Sequence, residues 1–134
     1  MKLEEQVCSL ELAKRLKELK INQESIFYWR RWVPIRGSSY ITPEWTLSYY
    51  KGSGDDYEVI SAFSVAELGE LLPDLIKIRA ENYFITMDCD KYIYYENIKK
   101  TCEIHFMDNG DEFTEADARA KMLIYLIENE YVES

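Results

Sequence analysis

The residue pattern predicts an α+β fold. We expect a mostly antiparallel sheet with helices packed on one face, in the order α-β-β-(β)-α-β-β-β-(β)-α, within a single domain over residues 1–134. Three observations predict it. Some segments place apolar residues three or four apart behind a capping residue, the helical period. Shorter β-branched and aromatic runs lie between them, separated by Gly, Pro, Asn and Asp. The 134 residues are 47% hydrophobic and 14% aromatic, enough apolar surface for one core and too much for a disordered chain.

The first helix is expected behind Ser9, or from an earlier start near Leu3, with Cys8, Leu12, Leu16 and Leu19 along its buried side and an end near Lys20. Glu11 and Arg15, like Lys14 and Glu18, are spaced as i,i+4 ion pairs, each worth about 0.2–0.5 kcal/mol. Residues 26–33 (Ile-Phe-Tyr-Trp-Arg-Arg-Trp-Val) read as a strand, which Pro34 stops because proline donates no N–H to a ladder. A loop over Ile35–Pro43 follows. Residues 45–50 resume a strand, Gly52–Asp56 form a turn, and residues 57–60 form a short strand.

The second helix carries the strongest start signal. Ser64 and Glu67 form a capping box, and Phe63 and Leu68 a hydrophobic staple. Pro73 ends it. Strands are expected over residues 75–79, 83–87, 91–95 and 101–107, with a turn at Asn109–Gly110. The last helix begins at Thr114 with Asp117 at the third helical position. Its stripe is Ala116, Ala120, Leu123, Ile124, Ile127 and Tyr131, but residues 122–127 are apolar all round. Met122 and Tyr125 point off the stripe, so this half needs cover on two sides, from the N-terminal helix or a second subunit. The expected core is Leu12, Leu16, Leu19, Phe27, Trp29, Leu68, Leu71, Leu72, Ile104, Phe106, Leu123 and Ile127.

Charge and rare residues close several functional classes. Sixteen bases against 25 acids give a net charge of −9. This charge makes nucleic-acid binding an unfavoured reading, since phosphate needs cations. The charge is uneven. Residues 26–51 hold four bases and one acid, a balance of +3, whereas residues 52–134 hold seven bases and nineteen acids, a balance of −12. The acidic part is a solubilising surface or, as an alternative, a nucleic-acid mimic that inhibits a DNA-handling enzyme.

Three cysteines without a CxxC pair, and a single histidine, argue against a disulfide framework or a zinc site and fit a reducing cytoplasm. Cys102 and His105 stand three apart on a strand, where strict alternation puts them on opposite faces. Asp88 and Asp90 flank Cys89 as solvated strand-end acids. No run of about 18 apolar residues predicts a membrane helix, and the acidic start Met1–Glu5 has no signal-peptide pattern. Phosphate loops, nucleophile elbows and HExxH are missing. We therefore expect a non-enzymatic protein with no catalytic residue, no metal and no cofactor.

Two binding readings remain. Residues 10–19 have a flavour of helix-turn-helix regulators, but the following segment favours a strand over a recognition helix. The aromatic stretch offers the better candidate. If Tyr28, Arg30 and Trp32 face outward together, they form a partner surface of the residue types that dominate protein interfaces. Trp45, Met122 and Tyr125 join them as candidate partner-binding residues. The partner is a protein or a second copy of the chain, with no membrane involved.

Three strings carry a resemblance: residues 11–19 with 23–29 (ELAKRLKEL, QESIFYW), residues 61–73 (SAFSVAELGELLP) and residues 114–129 (TEADARAKMLIYLIEN). In this order they resemble a widespread group of small uncharacterised proteins encoded by bacterial phages, prophages and other mobile elements. The resemblance implies a bacterial host cytoplasm as the setting and transfers no catalytic residue. Lys20 departs from it, standing where a glycine would end the first helix.

Overall fold

Local backbone signals set where each helix begins and ends. The computed structural model describes residues 2–32, 44–49, 57–87, 93–97, 102–106 and 114–132. Helix α1, Leu3–Gln6, is separate and begins at the earlier of the two expected starts. Helix α2, Leu10–Glu18, starts after Ser9, whose amide donates to the Asp117 carboxylate at 2.7 Å. It ends in a Schellman motif. The amides of Lys20 and Ile21 donate to the carbonyls of Lys17 and Leu16, and Lys20 takes a φ of 66°, the left-handed conformation usual for glycine there.

Helix α3 runs Val65–Leu71. Both bonds of its capping box form between Ser64 and Glu67. Helix α4, Glu115–Glu128, is capped by Thr114, whose hydroxyl accepts from the Asp117 amide at 3.1 Å. Asp117 does not complete a box with Thr114. Its carboxylate holds Ser9 instead, which ties α4 to the start of α2. Glu130, with a φ of 60°, repeats the Lys20 device at the end of α4.

The fold class is α+β with antiparallel pairing throughout the described strands, in the expected order apart from α1. The strands fall into two sheets. β1 (Phe27–Trp32), β2 (Thr46–Ser48) and β3 (Tyr57–Ala62) pair in the order β2-β1-β3. β4 (Leu75–Ile78), β5 (Glu81–Met87), β6 (Ile93–Glu96) and β7 (Cys102–Phe106) form a meander. Between β4 and β5 the chain reverses through Arg79 and Ala80, both at positive φ. That geometry is the two-residue hairpin turn whose twist matches the strands. A register shift between Tyr95 and Glu96 sets Cys102 opposite Glu96 and His105 opposite Tyr94.

α4 lies at the centre of the core. It packs against α1, α2, α3, β6 and β7. Ala116, Ala118, Ala120, Met122, Leu123, Ile124 and Leu126 are all buried along it. Small alanines on successive turns let neighbouring helices approach closely. The cover required by its apolar second half therefore comes from the chain itself. Met122, expected as a partner-binding residue, is fully buried and is corrected to a core residue.

Leu16, Leu68, Leu72 and Leu123 occupy the expected core, with Leu12, Leu19, Trp29 and Ile127 packed against it. Phe27 is half-buried. Leu71 is 40% exposed. The helix ends there, and the extended backbone at Leu72 swings that side chain inward in its place. Tyr95, unforeseen as core, is fully buried and donates its hydroxyl to the Pro73 carbonyl at 2.7 Å. The side chains of Ile104, Phe106, Cys102 and His105, the Ile35–Pro43 loop, the Gly52–Asp56 and Asn109–Gly110 turns, and Asp88, Cys89 and Asp90 lie outside the described set.

Candidate functional site: the outer face of the three-stranded sheet

Strand β1 is central in its sheet, so its side chains divide between two fully formed faces. The register sets Tyr28, Arg30 and Trp32 opposite Ser61, Val59 and Tyr57 of β3. It sets Tyr28 and Arg30 opposite Ser48 and Thr46 of β2. Residues directly opposite share a face. Tyr28, Arg30 and Trp32 therefore form one row, with Tyr57 beside them. Trp32 is 45% exposed. The Arg30 guanidinium lies 4.7 Å from the Tyr57 ring centroid, a cation–π contact that holds it against the sheet. Tyr57 was not among the expected site residues. Its signal was the alternation of residues 57–60, legible only once the pairing with β1 is known.

The opposite face of this sheet looks toward α2. Trp29 packs on the core and its indole N–H donates to the Cys8 carbonyl at 3.1 Å. Arg31 pairs with Glu58, with Nε 2.8 Å from the carboxylate. Trp45 also belongs on this side. Its ring receives Arg31 at 4.8 Å and Lys14 of α2 at 5.4 Å. Trp45 is therefore separated from the Tyr28–Arg30–Trp32 row by the sheet. Tyr125 is half-buried on α4, its ring centroid 6.5 Å from that of Tyr131. Of the six expected partner-binding residues, the fold brings three together.

Six of the described carboxylates of the acidic region have structural partners. Glu58 holds Arg31, Glu67 caps α3, Glu81 accepts from Asn97, Glu115 binds Arg119, Asp117 binds Ser9 and Glu128 binds Arg15. Arg15 thus reaches Glu128 and Glu18 in place of Glu11. β1 stands where a recognition helix would have to follow α2. Among the described residues no helix is long and apolar enough to cross a membrane. Nor does any group of three or more His, Cys, Asp and Glu gather as metal ligands among them.

No family model matches the chain, and no curated protein or solved structure shows significant similarity to it.

Proposed function

We propose that this chain is a non-enzymatic protein-binding module, of phage or mobile-element origin, acting in the cytoplasm of a bacterial host. The observation that carries the reading is the row of Tyr28, Arg30 and Trp32 on one face, with Trp32 exposed and the other two half-buried. A large apolar ring exposed beside an arginine already ordered on Tyr57 costs little further entropy to bury against a partner. Trp, Tyr and Arg are also the residues most enriched at binding hot spots. The occupant is a protein surface, either a second copy or a host protein.

Light scattering over a range of concentrations, together with affinity capture from bacterial lysate, tests this. The reading expects a dimer or a captured partner, and loss of either in Trp32→Ser. A strictly monomeric chain whose captured proteins are the same with and without Trp32 would overturn it.

The reading of the acidic region as a nucleic-acid mimic is less well supported, because the described carboxylates named above are committed to contacts within the fold.

A further inference from the structure

A second feature lies on the other side of the same sheet. Between α2 and the inner face of the first sheet is an open cleft of about 410 Å³, a size usual for small-molecule sites. Trp45 and the buried Ile60 supply its apolar walls. Lys14, Lys17 and Glu18 of α2, with Arg31 and Glu58 of the sheet, supply its charges.

These charges neutralise one another only in part, which leaves the two lysines of α2 without a carboxylate among the described residues. Glu58 is engaged by Arg31, and Glu18 by Arg15 at 3.0 Å. Lys17 donates to the Val59 carbonyl at 3.1 Å. An ammonium has three donors, so Lys17 has two to spare. Lys14 lies over the Trp45 ring with no carboxylate partner among the described residues. The two ammoniums stand one helical turn apart on α2, so they lie on one side of it. At the indole Lys14 is joined by the Arg31 guanidinium, itself paired with Glu58. In a chain of net charge −9, this is a local concentration of positive charge beside an aromatic wall. An anion between Lys14 and Lys17 would gain charge-assisted hydrogen bonds and relieve their mutual repulsion. A flat ring attached to it would bury against the indole.

We propose that this cleft binds a small organic anion, its phosphate or carboxylate held by Lys14 and Lys17 and its flat ring packed on Trp45. The site is separate from the protein-docking face, so either stands if the other fails.

The test titrates phenyl phosphate, benzoate and inorganic phosphate into the full chain, read by tryptophan fluorescence and calorimetry. Saturable binding of phenyl phosphate identifies a phosphate site, and saturable binding of benzoate a carboxylate site. In either case Lys14→Gln/Lys17→Gln is expected to weaken binding about tenfold or more, with the folded circular-dichroism spectrum retained. No saturation by either ring compound up to about 10 mM, well past the affinity of a specific site, would overturn the proposal. So would equal affinity in the double variant, or inorganic phosphate binding as tightly as phenyl phosphate.

Discussion

Lys20 shows how far a single residue can be read from a sequence. Its position marks it as standing where a helix-ending glycine belongs, and the backbone there takes a φ of 66° in a complete Schellman motif. A side chain with a Cβ is strained in that conformation by about 1–2 kcal/mol. Glycine gives part of this back as unfolded-chain entropy. Lys20→Gly is therefore expected to raise stability by about 0.5–1 kcal/mol in urea unfolding. Cys8 was legible only as an apolar helix position. In the structure it joins three elements. Its amide donates to the Phe63 carbonyl, its carbonyl accepts from Trp29, and its thiol is fully buried. Burial pushes the thiol from 9.0 up to about 12. An unfolded chain releases that proton first, so this contribution to stability is present below pH 9 and is lost as pH rises from 9 to 12. Burial, with Asp74 nearby, also raises the Tyr95 phenol above its ordinary 10.0, which acts in the same direction. The unfolding midpoint is expected to fall across this window. In a Cys89→Ser/Cys102→Ser variant, Cys8 is expected to resist thiol reagents at pH 8 until the protein unfolds.

At the scale of elements, the starts of α3 and α4 were legible because hydroxyl caps and apolar staples are local chemistry. The partner of a cap was not. The Asp117 carboxylate serves Ser9, 108 residues away, and no local pattern encodes that choice. The bounds of the β4–β5 turn, expected after Arg79 and before Tyr83, were missed for a related reason. Arg79 and Ala80 occupy positive φ, where Asn-Gly would have announced the turn. The α3–α4 contact depends on Gly69. A Cβ there would meet the Arg119 guanidinium, which donates to the Val65 carbonyl at 2.9 Å and holds Glu115. Gly69→Ala improves helix propensity by about 1 kcal/mol but displaces a hydrogen-bonded charged group worth about 1.5–3 kcal/mol. Net destabilisation of about 1 kcal/mol is expected. In an Arg119→Ala background the same change is expected to stabilise. A chemical-denaturation double-mutant cycle reads this reversal directly.

For the whole molecule, the sequence conveyed the class and order of elements but not their division into two sheets. Strand pairing is non-local, and the segments between strands carry no mark of which edge they return to. The same limit applied to the site. Alternation alone put Tyr28, Arg30 and Trp32 together. Placing Trp45 across the sheet, and Met122 inside, required knowing how α2 and α4 pack. The central claim is that the outer face of the three-stranded sheet is where the chain meets another protein. Site-specific photo-crosslinking in living bacteria measures this most directly, with a benzophenone amino acid at position 32 and, as a control, at exposed position 77 of β4. A discrete adduct from position 32, to a second copy or to one host protein, with none from position 77, is the expected result. No adduct at position 32, or the same adducts from both positions, would contradict it.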